Sequence, residues 1–147
     1  MNTKFDSGID HIELGALAQK MGITLLHASA ERVVARMPVS GNTQPSGILH
    51  GGGSVVLAES VGSIGAILQA RSLDTVFPLP FPRVALGLDI NATHLNAADT
   101  GQVVEAVANA VKLGQTVATY EVVIRIAETD KMVCSARITC LIVPGKN

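Results

Sequence analysis

There is no tryptophan in this chain, and aromatic residues of every kind supply only 3 % of its 147 residues. A sequence so poor in rings offers no platform on which single-stranded nucleic acid could stack, and its core has to be built from Val, Ile, Leu and Ala. Charge imbalance is missing too: eleven basic and twelve acidic residues leave a net −1. With no basic stripe and no arginine-rich arm, nucleic acid is not an expected partner. Cysteine is nearly absent. Cys134 and Cys140 lie six apart in a strand-like run, so they point to one side of the same strand and cannot pair with each other. Without a nearby His they make no metal site, and they read as small buried hydrophobes. The opening stretch MNTKFDSGIDHIELG has neither a positive leader nor an apolar core of signal-peptide length, so a cytoplasmic protein is expected.

What the chain does have is apolar patterning, at 48 % of its residues. No repeat or linker divides it, and residues 1–147 read as one domain. A short helix is expected from about Asp10 to Met21, ended by Gly22, with Ile23 opening a strand. Arg32 to Val39 alternates as a second strand, and SGNTQPSG (Ser40–Gly47) is turn chemistry. A long helix follows from about Gly52 to Ala70. The second half is strand-like throughout: Arg83–Leu95, Gln102–Leu113, Gln115–Ala127 and Lys131–Val143 are Val-, Ile- and Thr-rich. Asn96–Gly101 and Thr129–Asp130 read as hairpin loops, with a tight break at Leu113-Gly114-Gln115. In the last strand one face is apolar and the other mixed, as in an antiparallel sheet with one dry face. The expected architecture is α+β: one long central helix wrapped by a curved antiparallel sheet of five to six strands.

The long helix carries the chemistry. GILHGGGSVVLAESVGSIGAILQA (Gly47–Ala70) contains one charged residue, Glu59, with apolar side chains on almost every side of the helical wheel. A helix apolar all round is expected to be buried, where a lone carboxylate costs several kcal/mol unless it is paired or solvated by a cleft. Its length could suggest a membrane span, but the mid-helix carboxylate and the glycines between Gly47 and Gly65 argue against one. Hydrolysis of a thioester needs fixed donors for a developing oxyanion and a carboxylate that attacks the carbonyl or deprotonates water. Gly51 and Gly52, at the helix start, offer backbone N–H groups with the positive end of the helix dipole behind them. Glu59 offers the carboxylate, and Ser63 a hydroxyl one turn on. Each has a plainer reading taken singly: His50 as a turn histidine, Glu59 as a capped buried acid, Ser63 bonded back to the carbonyl four residues earlier. Eight residues of helix separate Gly51 from Glu59, about 12 Å, which a glutamate side chain cannot span. The two can serve one carbonyl only if a second copy of the helix runs antiparallel across a two-fold axis, so a homodimer at minimum is expected.

On these residues the chain resembles a hotdog-fold acyl-CoA thioesterase, and within that family the glutamate-type 4-hydroxybenzoyl-CoA and 1,4-dihydroxy-2-naphthoyl-CoA thioesterases. The most specific stretches are QPSGILHGGGSVVLAESVGS (Gln44–Ser63), LGLDINATHLNAADTGQVVEA (Leu86–Ala106) and SARITCLIV (Ser135–Val143). The resemblance implies an acyl-CoA substrate, with coenzyme A as part of that substrate rather than a cofactor, no metal, and dimers paired into a homotetramer. It implies Glu59 as nucleophile or general base, the Gly51 amide as main oxyanion donor, and Gln44 orienting the thioester carbonyl. His50 would shape the turn and contact the thioester, and Ser63 would position water or the leaving group. Coenzyme contacts would come from Gly52, from Lys112, Gly114 and Gln115, and from Ser135 and Arg137 on the final strand. One departure stands out: where relatives tend to present a basic residue after ATH, this chain has Leu95-Asn96-Ala97, so a phosphate contact there is either missing or supplied by Lys112, Arg83 or another basic side chain. The segment RSLDTVFPLPFPR (Arg71–Arg83) is proline-rich and is expected to be either a plain surface loop or a wall of the acyl pocket. Alternative functions are a hotdog 3-hydroxyacyl-thioester dehydratase or hydratase, and a non-catalytic acyl-CoA binding protein.

Overall fold

The computed structural model describes residues 9–147; the first eight residues of the stretch read as not a leader lie outside them. In chain order the elements are α1 (Gly15–Met21), β1 (Thr24–Ala28), β2 (Arg32–Pro38), α2 (Gly51–Val76), β3 (Val84–His94), β4 (Val103–Leu113), β5 (Val117–Ile126) and β6 (Met132–Val143). The strands form a six-stranded sheet in the order β1-β2-β4-β5-β6-β3, every neighbouring pair antiparallel. This is the long helix against an antiparallel sheet expected from the pattern. α2 touches β2, β3, β4, β5 and β6 alike. Five strands at about 4.8 Å spacing are wider than one helix of about 10 Å diameter, so the sheet has to curl around it.

Small residues allow the close approach. On the side of α2 facing the sheet lie Ala58, Gly62, Gly65 and Ala66, all buried. A side chain at Gly62 would run into Ile138, and a Cβ at Gly65 would come within 2.6 Å of the Tyr120 ring. Tyr120 is fully buried and its hydroxyl donates to the Ala30 carbonyl at 2.7 Å. Burial holds that phenol above its ordinary range, with Cys140 and Glu31 adding to the effect. Cys134 and Cys140 are buried free thiols on the inward face of β6, as the alternation implied.

Several expectations need correction. α1 begins at Gly15, not Asp10, because Gly15 sits at φ +80 and no side chain caps the helix; before it, the Ile12 N–H closes a turn onto the Ile9 carbonyl at 3.1 Å. α2 runs to Val76 rather than Ala70. Arg71–Val76 contains no breaker, and the helix stops where Pro78 disfavours helical backbone at Phe77. The rest of the proline-rich segment folds back through Arg83, whose Nη1 donates to Asp74 Oδ1 at 2.6 Å and to the Phe77 carbonyl at 2.7 Å. Asn96–Gly101 is not a hairpin loop. It joins β3, at one edge of the sheet, to β4 in the middle, and it pairs with the loop before α2: the Leu49 N–H donates to the Ala98 carbonyl at 2.8 Å and Ile48 bridges Asp99.

Candidate active site

That pairing fixes the start of α2. Loop 42–50 is tied down by the Asn42 side chain, whose amide donates to the Met21 and Pro38 carbonyls at 2.8 Å each, and by the 96–101 loop lying alongside. His50 is the helix N-cap, in extended backbone at φ −63 and ψ 131, and its Nδ1 accepts from the Gly52 N–H at 2.8 Å. A histidine therefore does the work usually left to Ser or Asp. The His50 carbonyl takes the Gly53 N–H at 2.8 Å. Of the first-turn donors, the Gly51 N–H finds no acceptor among the described residues, and no acidic residue lies in that turn. With Gly52 engaged, Gly51 is the glycine that has a donor to offer.

Gly51 opens onto a cavity of about 370 Å³ whose wall includes Gln44, Ser54, His94 and Asn96. His94 was not singled out from the sequence. It ends β3 with its imidazole against the helix start; a Cβ at residue 51 would come 2.8 Å from His94 Nε2. When Nε2 carries the proton it is a second donor beside the Gly51 N–H. The signal was available, because strand alternation puts Ile90, Ala92 and His94 on one face of β3. Gln44 faces the same cavity, though its Oε1 accepts from the Ser46 N–H at 2.6 Å.

Glu59 lies elsewhere. With Ser63 it lines a separate groove of about 380 Å³, walled by Leu14, Leu17, Val56 and Ile67 between α1 and α2. Its carboxylate rests over the Cα of Gly87 on β3. The expectation of a helix buried all round fails, as does the plainer reading of Glu59 as a capped buried acid: Glu59 is exposed in the chain and opens onto a groove. The sheet covers only one side of α2, and just half of its most apolar window is buried. Ser63 does not bond back to its own helix; Ser60 does, donating to the Val56 carbonyl at 2.7 Å. Ser63 instead meets the Cys140 thiol. Burial pushes that thiol up, the Ser63 hydroxyl pulls it down, and the nearby Glu59 charge raises it again. Within one chain, then, the helix-start donor and the carboxylate open onto different cavities, as their separation along α2 demands.

A family model described as the thioesterase superfamily matches residues 46–133, spanning both halves of this site. The chain belongs to the thioesterase superfamily. It is 35 % identical over 129 residues to the 1,4-dihydroxy-2-naphthoyl-CoA hydrolase of Escherichia coli, covering 87 % of each chain. It is 32 % identical over 130 residues to the proofreading thioesterase EntH of Cronobacter sakazakii, covering 88 % of this chain and 87 % of that one. Among solved structures it is similar to a mutant of thioesterase PA1618 from Pseudomonas aeruginosa, with a TM-score of 0.76, 36 % identity and coverage of 89 % and 88 %. Thioesterase HI1161 from Haemophilus influenzae gives a TM-score of 0.74 at 33 % identity, with coverage of 88 % and 84 %. The protein is a hotdog-fold thioesterase.

In this thioesterase the residues expected to hold coenzyme A fall in three places, of which Gly52 is at the start of α2 with its N–H already given to His50 Nδ1. Lys112, Gly114 and Gln115 form the β4–β5 hairpin tip, docked on α2 by Gln69, whose Nε2 donates to the Gly114 carbonyl at 3.1 Å. Gly114 is needed there because a Cβ would come 2.7 Å from the Val117 carbonyl oxygen. Ser135 and Arg137 lie on the outward face of β6, and Arg137 Nη2 is 2.7 Å from Glu121 Oε1. Register puts Lys112 beside Thr119 and then Thr139 across the sheet, one row from Arg137. Arg83, the other candidate for a phosphate, is locked to Asp74. Among the described residues no group of three His, Cys, Asp or Glu side chains converges on a possible metal position.

Proposed function

We propose that this thioesterase hydrolyses acyl-CoA thioesters with aromatic or medium-chain acyl groups, in a homodimer with two equivalent sites, each using Gly51 of one chain and Glu59 of its partner. The observation that carries the reading is the Gly51 N–H: a donor with no partner among the described residues, at the positive end of a 26-residue helix, opening onto a cavity walled by Gln44 and His94. Such a donor suits the oxygen that becomes negative when a thioester carbonyl is attacked. Glu59 attacks that carbon directly, or takes a proton from the water that does. The tetrahedral intermediate then collapses with cleavage of the C–S bond; the coenzyme leaves as thiolate and is protonated to the thiol. On the nucleophilic route, water next hydrolyses the acyl–glutamate anhydride, so either route yields the free acid.

The groove beside Glu59 supports the choice of acyl group. Leu14, Leu17, Val56, Ile64 and Ile67 give it an apolar lining beside Glu59, with Glu13, Ser60 and Ser63 as its polar members. The dimer rests on separation along α2, about 12 Å at 1.5 Å per residue, and on the exposed apolar side chains Leu86 and Leu88 of the open edge strand β3. Pairing of two dimers into a tetramer belongs to the same proposal, and the solution mass reads it directly.

Thiol release from benzoyl-CoA and hexanoyl-CoA tests the reading. Glu59→Ala is expected to lose at least about a hundredfold in kcat, a typical floor for removing a general base. Glu59→Asp keeps the carboxylate one methylene short and should fall in between. Wild-type turnover by Glu59→Ala, or tight binding of either acyl-CoA with no thiol released by the wild type, would sink it.

A further inference from the structure

The Glu59 carboxylate occupies a notch in the sheet edge that only glycine leaves open. Strand β3 slips register between Gly87 and Asp89: Gly87 pairs with Cys140 and Asp89 with Thr139, so Leu88 is the extra residue of a bulge. A bulge locally re-aims the strand. Its consequence is a small hollow of about 120 Å³ lined by Glu59, Gly87, Leu88, Asp89, Ile90 and Ile138. A Cβ at residue 87 would come 2.9 Å from Glu59 Oε1 and 3.9 Å from its Cδ, and would meet nothing else within 4 Å. Gly87 is not at positive φ, so its backbone does not require glycine. The missing side chain there serves the carboxylate.

We propose that Gly87 is a positioning residue for Glu59, its bare Cα setting where the carboxylate stands relative to the thioester carbonyl. This rests on the reading of Glu59 as the catalytic carboxylate. The contact is soft, which separates Gly87 from the packing glycines of α2. A Cβ at Gly65 would strike the closed ring of Tyr120 at 2.6 Å. A Cβ at Gly87 meets only the free end of a flexible side chain, which swings aside. The protein then keeps its fold while the carboxylate shifts until the 2.9 Å contact opens to ordinary van der Waals distance, by about half an ångström or more. Misplacement of a reacting group by about 1 Å can cost on the order of a hundredfold in rate.

The test is a double-mutant cycle of Gly87→Ala and Glu59→Asp, read as kcat and KM with whichever of benzoyl-CoA and hexanoyl-CoA the wild type turns over faster, and with Tm measured for each variant. Gly87→Ala adds one carbon to the notch; Glu59→Asp removes one from the side chain that fills it. The expected result for Gly87→Ala is a kcat lowered about 10- to 100-fold with KM within about threefold and Tm close to the wild type. In the double variant the losses should fail to multiply, because the shortened side chain no longer meets the new methyl group. A Gly87→Ala protein with wild-type kcat overturns the proposal, as do two losses that multiply. So does a large fall in Tm or failure to fold, which would mark a structural glycine. If Glu59→Ala itself keeps its turnover, the reading of Glu59 fails first and this inference with it; a dead Glu59→Ala beside a fully active Gly87→Ala overturns the inference alone.

Discussion

At residue 51 two properties of glycine are used at once, and they can be separated. The bare Cα leaves room for His94, whose Nε2 lies 2.8 Å from where a Cβ would sit, and the N–H is the donor left over at the helix start. Gly51→Ala removes the room and keeps the donor. Gly51→Pro removes both, and the backbone accepts it: proline suits the first position of a helix, where its missing N–H has no helical partner. The residue before a proline must be extended, and His50 already is, at ψ 131. Both variants place a Cβ against His94, so their difference reports the N–H together with the ring carbon that replaces its proton in proline. Loss of one oxyanion donor typically costs about 10²- to 10³-fold in kcat, and Gly51→Pro is expected to fall that far below Gly51→Ala in thiol release from acyl-CoA, with similar KM. Equal kcat for the two variants would remove the N–H from the mechanism.

Among the elements, α2 shows how a rule about helix composition inverts in context. On an exposed helix, replacing glycine by alanine gains about 1 kcal/mol in propensity. At Gly65 the new methyl group would lie 2.6–2.8 Å from three atoms of a fully buried Tyr120. That ring is pinned by its hydrogen bond to Ala30 and cannot turn away. Overpacking of this kind costs about 1–3 kcal/mol, so Gly65→Ala should lower stability in chemical denaturation, and a raised midpoint would show that the ring is free to move. Every strand of the second half could be read from local periodicity to within about two residues, and so could the start of the helix, but its end lies six residues beyond the expected Ala70. Sheet order could not. β3 sits at the edge beside β6 rather than next to β4, and nothing in Asn96–Gly101 announces a crossover. Turn-forming residues look the same whether the chain folds back or crosses over, and the outcome here is set by pairing with Ile48 and Leu49 far away in sequence. His50, Gly51 and Glu59 were legible because they interrupt an apolar run. Gly87 was not, because its meaning comes from β3 meeting α2 across the sheet; strand alternation placed His94 on the helix-facing side of β3, but only that same meeting sets it against Gly51.

At the scale of the whole molecule, the one-sided cover of α2 decides how the halves of the site can be tested against each other. The sheet protects one flank of the helix, while the flank bearing Glu59 and Ile67 is left exposed, and Gly51 opens onto a cavity that Glu59 does not reach. If each site draws its donor from one chain and its carboxylate from the other, two inactive variants can repair each other. Glu59→Ala keeps an intact Gly51, and Gly51→Pro keeps an intact Glu59. A mixed dimer then has one site with both defects and one with neither. Random exchange of equal amounts of the two makes about half of all dimers mixed, so with two equivalent sites per dimer about a quarter of wild-type kcat should return. The experiment is to unfold and refold the two variants together, beside each refolded alone, and to measure thiol release per chain. Activity that returns only in the mixture requires a shared site, since neither variant can supply both groups to a carbonyl by itself. A mixture no more active than its components would place the donor and the acid within one chain, and the helix geometry from which the dimer follows would have to be abandoned.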